Sequence, residues 1–370
     1  MIARSPEYVT FPLPKTYSEI IDVRSPSEFQ EDRIPGAVNL PVLDDDERAW
    51  VGTLYRKDSP FAARKVGAAL VSRNIARHLE THLSDRDKDY KPLIYCWRGG
   101  QRSNSLAMVL LQIGWQATVV RGGYKTYRNH VRDRVAELSG RLQFQILCGL
   151  TGSGKTRILQ RLAAVGAQAI DLEGLANHRG SLLGQEWSAP SSTSEPEVQP
   201  SQKWFESEVW QALERCEPGR PVWLESESNR IGQLHVPAPL WQQMKNAQCV
   251  EVQVPVASRV RFLLDEYPHL VEHPEFLKAR LRQLRERHGT RKVQEWCEAI
   301  DRGQFSELVC DLLESHYDPT YQRSMAHAYY PRVTWQLSVP DLTAAEIDCA
   351  ATRLQSGERD VLAPELAVSS

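Results

Sequence analysis

Two short segments of this chain gather residues able to hold an anion, and one of them also carries a nucleophile. The first, Tyr95-Cys96-Trp97-Arg98-Gly99-Gly100-Gln101-Arg102-Ser103, sets a thiol at the head of a loop rich in glycine and arginine. Backbone N–H groups that curl toward one centre, the positive end of the following helix, and the Arg98 and Arg102 guanidinium groups all favour a nucleophilic thiolate on Cys96. Gly99 and Gly100 permit the positive φ angles such a cradle needs. The spacing of Cys96, Arg102 and Ser103 suits two chemistries: phosphate-ester hydrolysis through a phosphocysteine, or chalcogen transfer through a persulfide or perselenide.

The second segment, Gly149-Leu150-Thr151-Gly152-Ser153-Gly154-Lys155-Thr156, is a complete Walker A pattern. Its glycines turn N–H groups onto phosphate oxygens, Lys155 reaches the outer phosphate, and the Thr156 hydroxyl is the expected ligand of Mg²⁺. The pattern leaves open which phosphate compound it holds. Glu225, at the end of an apolar strand, is a candidate for the acid that orders a metal-bound water. Glu227 is its rival, and Asp171 is a further candidate at the end of its own strand.

The elements around these loops alternate. Strands are expected at 20–24, 92–95 and 117–120, with helices at 66–79 and 105–113. A turn and short strand follow at 34–41, and Ser25-Pro26 opens a helix. A second series begins with strand 144–148, which runs into the Walker A loop, then helix 157–164 and strands 169–172 and 221–225. Such alternation predicts an α/β protein with parallel sheets covered on both faces. The boundary is expected near 135–142, giving domains over 10–137 and 141–355 and a tail over 356–370. The Ser/Pro/Glu-rich stretch 188–202 reads as a mobile loop.

A net charge of −2 gives no global signal for nucleic acid, so any such contact must be local. The best patch is KARLRQLRERHGTRK at 278–292. There Leu277, Leu281 and Leu284 recur at helical spacing on one face. Lys278, Arg280, Arg282, Arg285, Arg287, Arg291 and Lys292 crowd the rest and could bind tRNA phosphates. Seven scattered cysteines without zinc spacing indicate free thiols, and no apolar run spans a membrane, so the cytoplasm is the expected location.

Asp22-Val23-Arg24-Ser25-Pro26-Ser27-Glu28-Phe29 and Arg33 to Pro41 resemble the N-terminal signature of rhodanese domains, and Arg121-Gly122-Gly123-Tyr124 resembles their closing motif. Tyr95 stands where a cysteine phosphatase usually has His, which favours chalcogen transfer. The Cys96 loop is one residue longer than in sulfurtransferase rhodaneses, which points to a tetrahedral, phosphate-sized anion in place of thiosulfate. With the Walker A loop and Asp171-Leu172-Glu173-Gly174-Leu175-Ala176-Asn177-His178-Arg179-Gly180, residues 10–350 resemble the bacterial tRNA 2-selenouridine synthases.

That resemblance implies replacement of sulfur by selenium in 2-thiouridine at wobble position 34 of the tRNAs for Lys, Glu and Gln. Geranyl diphosphate alkylates the sulfur first, with Lys155, Thr156 and Mg²⁺ on the diphosphate. Selenium from selenophosphate then replaces the S-geranyl group. Cys96 carries it as a selanyl-cysteine while Arg98 and Arg102 hold the departing phosphate. Trp204, Phe205, Trp210 and Trp223 are candidate walls for the prenyl chain or the uracil. Two other readings stay open: an ATP-dependent kinase fused to a thiol sulfurtransferase, and a nucleotide-gated binding module with an idle Cys96 loop.

Overall fold

Pro92-Leu93-Ile94-Tyr95 has no polar face, so it must be covered on both sides. In the computed structural model, which describes residues 5–179 and 198–358, all four residues are buried. The chain divides into two units, residues 1–134 and 135–370.

The first unit contains β1 (Glu7–Val9), β2 (Glu19–Asp22), α1 (Pro26–Glu31), β3 (Ala37–Asn39), α2 (Asp45–Lys57), α3 (Pro60–Glu80), β4 (Pro92–Tyr95), α4 (Gln101–Ile113) and β5 (Thr118–Val120). Helix α5 (Gly123–Arg141) starts here and runs through the division. The strands form one parallel sheet in the order β1-β5-β4-β2-β3. Ile21, Ile94 and Val119 from the strands and Leu106 and Leu110 from α4 fill its core. Helix α3 starts earlier than its apolar pattern suggests, because Ser59 caps it and Pro60 fits its first turn. Helix α2 left no pattern to read, since none of its residues is buried.

The second unit runs β6 (Gln143–Cys148), α6 (Lys155–Ala164), β7 (Gln168–Ile170), α7 (Leu172–Ala176), α8 (Gln202–Glu214) and β8 (Pro221–Glu225). A hairpin of β9 (Arg230–Ile231) and β10 (Leu234–His235) follows, then α9 (Ala238–Asn246) and β11 (Gln248–Gln253). Five helices come next: α10 (Val256–Glu266), α11 (Pro268–Glu272), α12 (Pro274–Arg282), α13 (Arg285–Asp301) and α14 (Phe305–Leu312). A π-helical turn (Leu313–Tyr317) joins α14 to α15 (Asp318–Ala328), before β12 (Val333–Ser338) and α16 (Ala344–Ser356). The sheet is again parallel, in the order β12-β11-β6-β8-β7. Helices α11 to α14 pack around Leu277, Leu281, Trp296 and Leu308 in a helical core of their own.

Both units are therefore α/β with parallel sheets, as the alternation predicts. Each places its anion loop at the carboxyl end of the middle strand, β4 or β6. That is where flanking strands and a helix N-terminus leave a crevice. Residues 188–197 of the Ser/Pro/Glu-rich stretch and the tail beyond 358 lie outside the described residues, and Gln202 already belongs to α8.

Candidate functional sites

Cys96 leaves β4 and the chain turns through Gly100 into α4. The Gly100 N–H donates to Cys96 Sγ at 3.3 Å, and Ser103 Oγ lies 3.3 Å from the same sulfur. The thiol thus sits at the N-terminus of a 13-residue helix, with a backbone donor and a hydroxyl already on it. Gly99 adopts φ +62°, and a Cβ there would stand 2.6 Å from Val120 O, so only glycine fits. The Arg121-Gly122-Gly123-Tyr124 motif closes on this loop: Tyr124 N–H donates to Cys96 O at 2.8 Å and Lys125 N–H to Trp97 O at 3.1 Å.

The N-terminal signature residues brace the loop from behind. Arg24, fully buried, binds Asp22 through Nε at 3.0 Å and Nη2 at 2.6 Å, and stacks 4.0 Å from the Tyr124 ring centroid. Tyr95, at the position that would hold His in a phosphatase, is also buried, and its hydroxyl accepts from Ile34 N–H at 3.1 Å. It packs the scaffold and has no access to an anion.

The two arginines differ. Arg98 is exposed and makes no hydrogen bond among the described residues. Arg102 donates to Glu28 Oε2 at 2.7 Å and to Oε1 at 3.4 Å. Burial pushes the Glu28 carboxyl up, but Arg102 outweighs it and holds Glu28 below the usual carboxylate range. Trp97 lies against Tyr124 at 5.2 Å, Gln101 is exposed, and Gln101 and Ser103 belong to the first turn of α4.

In the second unit, Lys155 folds back over its own loop and donates to Gly149 O at 2.9 Å, with its Nζ 5.3 Å from the Tyr321 ring centroid. Tyr321 also accepts from Gly149 N–H at 3.3 Å and shares a short hydrogen bond with Ser226. Gly152 has φ +77°, and a Cβ there would meet Leu263 Cδ1 at 2.8 Å. Ser153 is buried and Gly154 caps α6.

Thr156 Oγ1 lies 2.8 Å from Glu225 Oε2 and 3.1 Å from Glu173 Oε2, within hydrogen-bond reach of both carboxylates. Asp171, by contrast, caps α7, accepting from Gly174 N–H at 2.7 Å and Gln160 Nε2 at 2.9 Å. It lines the cavity but does not reach Thr156, and Glu173, two residues on, takes that place.

Glu173, Glu225 and Glu227 each offer an oxygen within 4.8 Å of the others. Burial pushes Glu225 and Glu173 well up, and the neighbouring carboxylates push them further. Glu227 rises to about 8, through burial and then the charge of Glu225. Glu225 Oε1 is enclosed without a hydrogen-bond partner. Three crowded carboxylates, an orphaned oxygen and a threonine hydroxyl are oxygen donors that could hold a hard divalent cation such as Mg²⁺.

A cavity of about 520 Å³ extends from this loop to Tyr267, His316 and Tyr317. Beside it lies an apolar slot of about 70 Å³ lined by Leu263, Leu270, Leu277, Leu308 and Leu312. Thr151, Leu263, Tyr267 and Tyr317 line both.

A model of rhodanese-like domains matches residues 12–130, and one described as the tRNA 2-selenouridine synthase AAA domain matches 142–335. A tRNA 2-selenouridine synthase of Nitrosomonas europaea is 32% identical, the match covering 81% of each chain. One from Bdellovibrio bacteriovorus is 31% identical over 83% of this chain and 88% of its own. One from Salmonella typhi is 31% identical over 86% and 92%.

The chain belongs to the tRNA 2-selenouridine synthase family. It is an enzyme of that family, with the rhodanese-like domain first and the family's AAA domain after it. No helix among its described residues is long and apolar enough to cross a membrane.

Phe205 and Trp223 are core residues, Trp210 Nε1 donates to Glu214 at 3.0 Å, and neither these nor Trp204 line the cavity or the slot. Tyrosines and leucines from α10 to α15 do so instead. The basic stretch 278–292 is not one helix. It breaks between α12 and α13, and Gly289 within α13 has φ 81°.

Its cations are also unequal. Lys278 is buried, donating to Glu275 at 2.8 Å and Asp301 at 2.5 Å, and Lys292 pairs with Asp311 at 2.6 Å. Arg280 lies over Phe276 at 5.0 Å, and Arg291 pairs with Glu295 at 3.2 Å while 95% exposed. Arg282, Arg285 and Arg287 are exposed.

Proposed function

We propose that the chain converts 2-thiouridine to 2-selenouridine in tRNA in two steps, at wobble position 34 of the tRNAs for Lys, Glu and Gln. The sulfur is first geranylated from geranyl diphosphate at the Walker A loop. Selenium from selenophosphate then replaces it, carried by Cys96. The observation that carries the first step is the apolar slot sharing its rim with the phosphate-loop cavity. A nucleotide needs a surface for its base, whereas a prenyl diphosphate needs an apolar channel starting one bond from the diphosphate.

On this reading the loop N–H groups and Lys155 hold the diphosphate, Lys155 exchanging the Gly149 carbonyl for a phosphate oxygen. Thr156, Glu173, Glu225 and Glu227 would hold a Mg²⁺, which supplies charge neutralisation for a leaving diphosphate. The prenyl chain packs against Leu263, Leu308 and Leu312, whose apolar side chains line the slot beside the reacting carbon. In the first unit the α4 N-terminus and Arg98 receive the anion of selenophosphate next to Cys96, joined by Arg102 once it leaves Glu28.

Nucleoside mass spectrometry of 2-thiouridine tRNA incubated with geranyl diphosphate and selenophosphate tests the division of labour. Lys155→Ala should block S-geranyl formation and all later product. Cys96→Ala should stop selenium incorporation while S-geranyl-2-thiouridine still forms. Selenouridine made by Cys96→Ala at the wild-type rate would refute the role of the thiol. ATP turnover by the protein without tRNA would favour a kinase instead.

A further inference from the structure

The π-helical turn Leu313–Tyr317 is the one break of helical register between α14 and α15, and such turns recur at functional sites. It presents His316 to the phosphate-loop cavity. The His316 ring is largely buried, and its Nδ1 lies 2.9 Å from Nε2 of His288 on α13. Nε2 of His316 makes no hydrogen bond among the described residues. His288 is half-buried, sits beside the Gly289 kink and packs edge-on against Trp296 at 5.2 Å. The pair therefore runs from the cavity wall toward the surface.

Burial, with the charges of Arg287 and His288, holds His316 down at about 4, and burial also lowers His288. Both rings are thus neutral near pH 7. One hydrogen bond between two neutral imidazoles requires one donor and one acceptor. When His316 Nδ1–H donates to His288, the His316 Nε2 lone pair is left without a hydrogen bond among the described residues, on a ring that lines the cavity.

S-Alkylation of a 2-thiouracil needs such a lone pair. The neutral product is a 2-alkylthio-pyrimidinone, which forms only when N3 loses its proton. With the diphosphate on the Walker A loop and the prenyl chain in the slot, the reacting carbon lies at their shared rim, which includes Thr151, Leu263 and Tyr317. Tyr317 adjoins His316, their rings 4.9 Å apart. Sulfur must approach that carbon from the side opposite the diphosphate, and N3 is one atom removed from the thiocarbonyl carbon.

We propose that His316 is the general base that takes the N3 proton during geranylation, and that His288 relays it outward. The inference rests on the prenyl-transfer reading above. The S–C bond forms with the electrons of the C2–S π bond, and the C–O bond breaks with its pair leaving on diphosphate. The N3–H electrons become the N3–C2 π bond. The proton goes to His316 Nε2, and the Nδ1 proton moves to His288.

The test is S-geranyl-tRNA formation by wild type, His316→Ala and His316→Gln, each confirmed folded by its melting temperature. Wild type must make S-geranyl-2-thiouridine; if it does not, the prenyl-transfer reading itself fails and the inference falls with it. Given that product, both variants should lose about 100-fold or more in kcat, with KM for geranyl diphosphate changed less than about 3-fold. Added imidazole should restore turnover in His316→Ala, which a purely structural role would not allow. A kcat within about 3-fold of wild type, a loss confined to KM, or no rescue by imidazole overturns the assignment.

Discussion

Removing one carboxylate from the Glu173, Glu225 and Glu227 cluster should stabilise the metal-free protein, and the gain should grow with pH. Burial and the Glu225 charge move Glu227 from its ordinary 4.5 to about 8. Between those values the folded chain keeps a proton that the unfolded chain has lost. The folded state binds more protons, so stability falls as pH rises through that window. At about 1.36 kcal/mol per pH unit, the loss by pH 7.5 reaches up to about 4 kcal/mol.

Glu227→Gln is neutral throughout, and its amide carbonyl can still accept the hydrogen bond that links Glu227 to Glu173. In EDTA the variant should be close to wild type at pH 5. By pH 7.5 it should melt higher, by up to roughly 10 °C for a domain of this size. Mg²⁺ should raise the wild-type melting temperature at pH 7.5 and close most of that gap, because it offsets the same repulsion. Equal gains at the two pH values, or a loss at pH 7.5, would refute the crowded-carboxylate account.

Three further outcomes follow from the same geometry. Glu28→Gln should cost about 1–3 kcal/mol in urea unfolding at neutral pH by breaking the charge-assisted bonds to Arg102. That difference should vanish as pH falls through the lowered Glu28 value, since the wild-type carboxylate is then protonated too. Leu308→Trp should fill the slot and raise KM for geranyl diphosphate about 10-fold or more while inhibition by inorganic diphosphate stays unchanged; equal effects on both would remove the slot from the reading. Alanine at Arg282, Arg285 or Arg287 should each reduce the salt slope of tRNA binding by about 1. Lys278→Ala should leave the slope alone, because Lys278 is already committed to Glu275 and Asp301.

What could be read in the sequence was whatever local chemistry determines. Strands such as Pro92–Tyr95 and Pro221–Glu225 are buried runs bounded by loops, and both anion loops are contiguous motifs with fixed strand-before, helix-after geometry. Glu225 was legible only as one of three candidate acids, because it ends an apolar strand, and Glu173, which also reaches Thr156, was not among them. Residues assembled across long separations left no such trace. Tyr321 and His316 reach the cavity only because α10 to α15 fold over the sheet's carboxyl edge, and a π-turn has no sequence pattern of its own. Aromatic type alone could not separate core from ligand wall: Trp223 is buried in the core of the second sheet, and Phe205 is fully buried. Charge misled at Lys278 because spacing along a helix does not reveal that Asp301 lies opposite.

Both anion loops hold their principal cation on an acceptor of the protein's own, and the acceptors differ in a way that bears on the order of events. Lys155 donates to two neutral carbonyls, Gly149 O at 2.9 Å and Leu150 O at 3.4 Å, so an incoming anion has no counter-charge to displace there. Arg102 is held by a carboxylate of opposite charge through bonds of 2.7 and 3.4 Å, so an anion there must displace a full counter-charge. On the proposed reading, an anion at the Cys96 loop first binds through Arg98, the α4 N-terminus and the loop N–H groups, and wins Arg102 from Glu28 afterwards. On the proposed reading, Cys96 is thereby guarded against weakly held anions, while the Walker A loop takes up a diphosphate with no counter-charge to displace. That asymmetry suits a protein in which the phosphate-loop chemistry precedes the thiol chemistry on the same base.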